Sequence, residues 1–248
     1  MDDSYFFSIY EGLPRQGPGD NSCTAKAFAL TAPPPGKTEI IDIGCGNGMQ
    51  TIALAKLCSD CMITAIDIYQ PFLDELEERA EKEGVEEKIK TICTSMDELD
   101  FKEEIFDILW AEGSIFILGV EEAVSKWKSL LKPGGKIAFT EAVWITEERT
   151  AVAEEFWLNG YPGMKNEEEI CHILESAGFK NVKKFRLPDS AWLKDYYIPL
   201  EKKVMKLKGE KHDKEEEEIL DFILSEIEIF RKYSNEYGYA FFIAEKIE

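Results

Sequence analysis

Asp42, Gly44, Gly46 and Gly48 stand at every second position where an apolar, β-prone run, Ile40 to Ile43, comes to an end. A helical pattern follows from Met49 to Leu57. The order is strand, tight turn, helix N-terminus. Glycine allows a positive φ and lets a ligand approach with no Cβ in the way. The free N–H groups that open the helix favour an anionic group. Asp67 closes a second apolar run, Met62 to Ile66. An acid at the end of a second strand is placed to take two ribose hydroxyls. The dinucleotide fingerprint G-x-G-x-x-G does not fit, because its third glycine falls on Met49. Two further acids follow apolar runs, Glu112 beside Trp110 and Glu141 near Trp144. Each can accept a proton or hold an ammonium group, and each can equally be a helix cap or a paired acid.

The pattern acid-x-Gly-x-Gly-x-Gly from Asp42 to Gly48, with Asp67 one strand later and Leu131-Lys132-Pro133-Gly134-Gly135 before a fifth strand, resembles the class I S-adenosylmethionine-dependent methyltransferases. The resemblance covers roughly residues 38–145. It implies a Rossmann-like, doubly wound α/β sheet of seven strands with the last one antiparallel. It also implies S-adenosylmethionine as cofactor and S-adenosylhomocysteine as product. The cofactor contacts it implies are Asp42, Gly44, Cys45, Gly46, Asn47, Gly48, Asp67, Ile68, Ala111 and Glu112. After the third strand a small residue and an acid are expected at the adenine. Ser95 and Asp97 take those places, Asp97 receiving the exocyclic amine and Met96 lying against the ring. Asp97 as the cap of a short helix is the plainer alternative. In the resembled fold a leader often closes over the cofactor, which makes Arg15 a partner for the cofactor carboxylate or for a substrate anion.

The elements that must hold these residues follow in order. Residues 1–37 read as a leader, aromatic and apolar at Tyr5, Phe6, Phe7, Ile9 and Tyr10, with a Gly/Pro loop from Gly12 to Gly19. A short helix capped by Asn21 or Ser22 is expected to run to about Leu30, stopped by three prolines. Pro71 suits an early helix position, and Phe72, Leu73, Leu76 and Ala80 form one face of a helix that Gly84 stops. Lys88–Cys93, Phe106–Ala111 and Lys136–Thr140 read as strands three to five. Helix resumes from Glu147, and Asn166 with Glu169 forms a capping box for another helix to Ala177. Asn181–Leu187 is a sixth strand and Tyr239–Lys246 a seventh. The single domain divides into a 38–187 core, a helical insertion over 188–236 and a last segment over 237–248. The insertion holds an amphipathic helix with Ile219, Ile223, Ile227 and Phe230 on its apolar face. Leader and insertion together are expected to cap the carboxyl ends of the strands, where open α/β sheets bind ligands.

Composition bounds the partners. The 248 residues, 44% hydrophobic and 31% charged, suit one globular domain. The 49 acids oppose 29 bases for a net charge of −20, which weighs against nucleic acid and anionic membranes. It suits a cationic or uncharged small substrate. No apolar run approaches the ~20 residues of a membrane span. The acidic start Met1-Asp2-Asp3 lacks the basic opening of a signal peptide, so a cytoplasmic monomer or homodimer is expected. Six cysteines are then expected to be reduced thiols. Cys58 and Cys61 form C-x-x-C with no second pair to complete a zinc site, so no metal is expected. His172 and His212, the two histidines, read as solvated.

Methyl transfer from a sulfonium is an in-line displacement, so the protein mainly aligns two centres and excludes water. A base is needed only where the acceptor holds its proton at neutral pH, and Glu112 and Glu141 are the candidates. Trp110, Tyr161, Trp192 and Tyr196 are candidate acceptor contacts, with Trp157, Tyr197 and Tyr239 nearby as walls of an apolar pocket or a cation–π cage. The acceptor is expected to be a small molecule, an amine or a phenol. The amine methyltransferases of DNA and protein carry Asn/Asp-Pro-Pro-aromatic after strand four. Trp110-Ala111-Glu112-Gly113 departs from that pattern. The whole chain is similar to the small-molecule branch near the ubiquinone/menaquinone-biosynthesis-like methyltransferases, notably at Tyr237-Gly238-Tyr239-Ala240-Phe241-Phe242-Ile243. Two other classes stay open: a nicotinamide dehydrogenase, disfavoured by Met49, and a non-catalytic protein that binds the cofactor as sensor or subunit.

Overall fold

The apolar run around Ile40 becomes the centre of a sheet buried on both faces, which is why it shows no polar alternation. A computed structural model describes residues 4–247. The Met1-Asp2-Asp3 start and Glu248 lie outside the described residues. The strands are Thr38–Ile43 (β1), Cys61–Asp67 (β2), Ile89–Cys93 (β3), Phe106–Ala111 (β4), Leu131–Trp144 (β5), Lys165–Asn166 (β6), Phe179–Arg186 (β7) and Tyr237–Lys246 (β8). Their order is β3-β2-β1-β4-β5-β8-β7, with β8 antiparallel to both neighbours and β6 paired to the end of β5. The fold is a Rossmann-like doubly wound sheet. It has eight strands among the described residues, where seven were expected, because the short β6 pairs with Val143 and Trp144.

The helices are Ser4–Tyr10 (α1), Asn21–Thr31 (α2), Met49–Leu57 (α3), Gln70–Glu83 (α4), Val120–Trp127 (α5), Ala151–Gly160 (α6), Glu167–Ser176 (α7), Asp189–Trp192 (α8), Ile198–Leu207 (α9) and Lys214–Tyr233 (α10). Local chemistry sets several of their ends. Gly84 closes α4 at φ 66°, its N–H reaching the Ala80 and Glu81 carbonyls. Asn166 and Glu169 form the capping box of α7, and Asp213 and Glu216 form one for α10. Asp20, rather than Asn21 or Ser22, caps α2 by accepting from the Ser22 N–H. The helix expected from Glu147 begins four residues later, where Thr150 supplies the cap.

Strand β5 runs past Thr140 to Trp144 because β8 pairs with it as far as Tyr237. Lys132–Gly135 is looped out at its start, the register passing from Phe106–Leu131 to Ile108–Lys136. One hydrophobic core lies against α5 and α7. The other holds α3 and α4 and continues into the leader and the 188–236 insertion. There Lys203 of α9 donates to the Ser8 and Glu11 carbonyls, and Tyr5 meets His212 at 3.1 Å. His212 is therefore not the solvated side chain expected. Its ring also lies 2.7 Å from the Leu207 carbonyl oxygen. His172 is exposed.

Candidate active site

At the carboxyl ends of β1 and β4, where the strand order reverses, lies a cleft of about 560 Å³. Its floor is the glycine turn. Gly44 and Cys45 both donate to the Ile66 carbonyl, and Gly46 donates to Asp67 Oδ2 at 2.9 Å. Gly44 has φ 71°, and a Cβ there would fall 2.4 Å from the Ser114 Cβ. Gly46 has φ 54°, and its Cβ would fall 2.7 Å from Gln16 Oε1. These two positions admit no side chain without rearranging the strand-four loop or the leader. Asp67 Oδ1 accepts from the Tyr69 N–H at 3.0 Å. Each Asp67 oxygen keeps lone-pair capacity for a hydroxyl, and burial raises the pKa of the carboxyl.

The leader closes one side. Asn47 is locked to it: its N–H donates to Gln16 Oε1, its amide donates to the Leu13 carbonyl and Glu75, and its Oδ1 accepts from Arg79. Phe7 stacks on Tyr69 with ring centroids 5.0 Å apart. Arg15 reaches into the cleft wall and pairs with Glu112 at 3.2 Å, the two side chains only 4% and 2% exposed. Arg15 Nη2 donates to Asn21, while its buried Nε has no acceptor. An unsatisfied guanidinium N–H in the cleft wall suits a carboxylate.

Of the expected cofactor contacts, Arg15, Gly44, Cys45, Gly46, Asp67, Ile68, Ser95, Met96 and Glu112 line the cleft. The others stand off it. Asp42 is fully buried beneath the turn and accepts from Thr51 at 2.6 Å. Burial raises its carboxyl to about 7. Asn47 and Gly48 anchor the turn from behind, a Cβ on Gly48 falling 2.0 Å from Leu76 Cδ1. Ala111 is buried inside β4. Asp97 departs most from expectation. It is exposed, no helix follows it, and it accepts instead from the Ser95 hydroxyl.

The acids read as bases also change role. Glu112 Oε1 accepts from Thr24 at 2.7 Å and from Trp110 Nε1 at 3.0 Å, and Oε2 accepts from Arg15. So engaged, Glu112 holds Arg15 in place and is not set to take a proton from an acceptor. Trp110 is fully buried in β4 opposite Asp42, so it is not an acceptor contact. Glu141 does not line the cleft. It is 2% exposed, accepts from the Ala142 N–H and has one oxygen without a partner. Burial pushes its carboxyl up to about 8.

The far wall is aromatic. Trp157, Tyr161, Trp192, Tyr196 and Tyr239 line it, whereas Tyr197 is buried behind. One lining acid escaped the sequence reading: Glu226 of α10. Its neighbours at i−3 and i+4, Ile223 and Phe230, are core residues, and an acid on that buried stripe was the signal available. Cys58, which caps the end of α3, and Cys61, the first residue of β2, are buried free thiols that do not line the cleft, and burial pushes Cys61 up to about 12. Among the described residues no group of three or more His, Cys, Asp or Glu is placed to hold a metal. No helix among them is long and apolar enough to cross a membrane.

Comparison with known proteins agrees with this geometry. Residues 40–135 match the family model described as methyltransferase domain. The 27-O-demethylrifamycin SV methyltransferase of Amycolatopsis mediterranei is 30% identical over 107 residues, 43% of this chain and 39% of that one. The chain spans about two-fifths to three-fifths of the length of the first curated relatives it matches. Among solved structures, an S-adenosylmethionine-dependent methyltransferase from Geobacter sulfurreducens in complex with S-adenosylhomocysteine superposes with a TM-score of 0.81 at 18% identity, covering 97% of both chains. The [4+2]-cyclase SpnF superposes at 0.75 with 20% identity, covering 98% of this chain and 92% of that one. Residues 40–135 thus match a methyltransferase domain, and the chain shares the Rossmann-like fold of these solved structures.

Proposed function

We propose that this protein transfers the methyl group of S-adenosylmethionine to a small-molecule acceptor. The observation that carries the reading is the continuity of the cleft. One cavity of about 560 Å³ joins the glycine turn and Asp67 to a wall of aromatic side chains. The cofactor end supplies hydroxyl acceptors at Asp67 and an N–H donor at Arg15 Nε. Ser95 and Met96 form its side. The sulfonium is itself the activated methyl donor. The residues here therefore act by holding two ligands in line and keeping water away. The buried Arg15–Glu112 pair and the leader that covers the turn serve that exclusion. The Tyr237–Ile243 segment supports a place in the small-molecule branch near the ubiquinone/menaquinone-biosynthesis-like enzymes. It does not name an acceptor, because a shared fold hosts different chemistries.

The test is calorimetric titration with S-adenosylhomocysteine, with NAD as control. Micromolar binding of the first and none of the second is expected. Asp67→Ala removes two charge-assisted acceptors, each worth ~1.5–3 kcal/mol. Affinity is expected to fall by roughly 100-fold or more while the far-ultraviolet dichroism stays unchanged. A folded Asp67→Ala protein with unaltered affinity refutes the assignment.

A further inference from the structure

Among the described residues Glu226 is the one acid lining the aromatic side of the cleft, and its surroundings are unusual. Its Oε1 accepts from the Tyr197 hydroxyl at 2.7 Å. No lysine, arginine or histidine among the described residues pairs with it. Its charge instead bears on the phenols of Tyr10, Tyr196, Tyr197, Tyr237 and Tyr239, which it helps to raise. These come from three separate parts of the chain: α1, the turn after α8, and β8. Trp192 packs edge-on to Tyr239 at 4.7 Å and completes the wall. Glu226 is part-buried, and a carboxylate so placed with no counter-cation loses hydration that nothing repays. A fold that keeps one facing a cavity leaves that charge for a ligand to satisfy. Aromatic faces beside a carboxylate attract a cation. Towards solvent the same cleft is rimmed by exposed apolar side chains, Phe6 at 40%, Phe116 at 42% and Phe222 at 47%. Phe222 precedes Glu226 by one helical turn on the same stripe of α10.

We propose that Glu226 and the cleft-lining Tyr10, Tyr196 and Tyr239 form a recognition site for the protonated amine of an acceptor whose apolar body lies against the Phe6–Phe116–Phe222 rim. The inference rests on the cofactor-and-acceptor reading of the cleft and narrows the acceptor class to amines. Glu226 is the anchor of the cation, and the aromatic rings supply the remainder of its solvation. Burial raises the Glu226 carboxyl, and an ammonium group beside it would favour the charged form again.

The test uses the full chain saturated with S-adenosylhomocysteine. Benzylamine, tetramethylammonium and the neutral isostere benzyl alcohol are titrated while tryptophan fluorescence is followed, since Trp157 and Trp192 line the cleft. The amine is expected to bind at least tenfold more tightly than the alcohol. Glu226→Gln preserves shape and an acceptor for Tyr197. It is expected to abolish that preference while S-adenosylhomocysteine affinity stays within twofold of wild type, which also shows that the variant is folded. Equal binding of amine and alcohol overturns the inference, as does a preference that survives Glu226→Gln. Failure of every cation to bind protein that does bind S-adenosylhomocysteine overturns it too, and leaves the cofactor reading intact. Failure to bind S-adenosylhomocysteine at all would instead remove the reading on which it rests.

Discussion

Glu112→Gln isolates the buried ion pair at the end of the cleft proposed to hold the cofactor. The substituted side chain keeps an oxygen that can accept from Thr24 and Trp110, so those two bonds survive. What it loses is the charge opposite Arg15. At 3.2 Å, with both side chains under 5% exposed, an effective dielectric of about 20 gives an attraction of about 5 kcal/mol. Removing one partner of such a pair costs ~3–5 kcal/mol, because the other charge stays buried and uncompensated. Urea unfolding of the free protein is expected to show a loss in that range. S-Adenosylhomocysteine carries a carboxylate, and in this structure Arg15 Nε is an N–H without an acceptor. The ligand is therefore expected to restore more stability to Glu112→Gln than it adds to wild type, where saturation at 100 times Kd adds about 2.7 kcal/mol. The double variant Arg15→Met with Glu112→Gln removes both charges. Its stability is expected within about 1 kcal/mol of wild type, since neutral replacement of a buried pair is often harmless, but its S-adenosylhomocysteine affinity falls at least tenfold. A Glu112→Gln protein within 1 kcal/mol of wild type would refute the energetic argument. A double variant with wild-type affinity would refute the role given to Arg15.

Gly44→Ala asks an alanine to hold φ 71° and places its Cβ 2.4 Å from that of Ser114. Strain of ~1–3 kcal/mol is expected in urea unfolding, with S-adenosylhomocysteine binding weakened more than tenfold as the turn shifts. Unchanged binding in calorimetry would show that the turn does not touch the cofactor. Glu141 gives a pH signature. Its folded carboxyl stands at about 8 against 4.5 for a free one. The folded state therefore holds a proton that the unfolded state has released. That contribution is complete below about 4.5 and is lost as pH rises through about 8. Glu141→Gln cannot ionise, so it is expected to lose less stability than wild type between pH 5 and pH 8, by up to about 4 kcal/mol at 1.36 kcal/mol per unit. Parallel stability–pH curves for the two proteins would contradict this.

The parts of the fold written in local chemistry were legible. The capping box at Asn166, the Gly84 stop and the apolar face of α4 each depend on residues within one or two turns of one another. The parts that depend on a distant partner were not. β5 extends to Trp144 only because β8 lies beside it, and β6 exists only because the chain returns past Val143. Trp110 misled for a related reason. Phe106, Ile108, Leu109, Trp110 and Ala111 are all buried in a strand covered on both faces, so no alternation says which side chain opens into a cleft. Asp97 misled because Ser95, two residues away, satisfies it before any ligand does.

The two ends of the cleft differ in the same way. The cofactor end is specified by backbone: a turn that needs glycine, an acid one strand later, an N–H aimed at it. Such requirements leave a spacing that can be read from the chain. The proposed acceptor end is assembled from Tyr10, Trp157, Tyr161, Tyr196, Glu226 and Tyr239, which belong to α1, α6, the loop after it, the turn after α8, α10 and β8. Each of those aromatics, taken alone, is an ordinary core residue. The acid among them is one of six Glu in α10, and the other five do not line the cleft. What distinguishes Glu226 is that helical geometry turns it inward with Ile223 and Phe230 while no cation among the described residues pairs with it. On the proposed reading, specificity for an acceptor resides where the chain has no local motif to carry it. Substitutions that retune the acceptor are expected at α6 and α10, leaving the glycine turn and Asp67 unchanged.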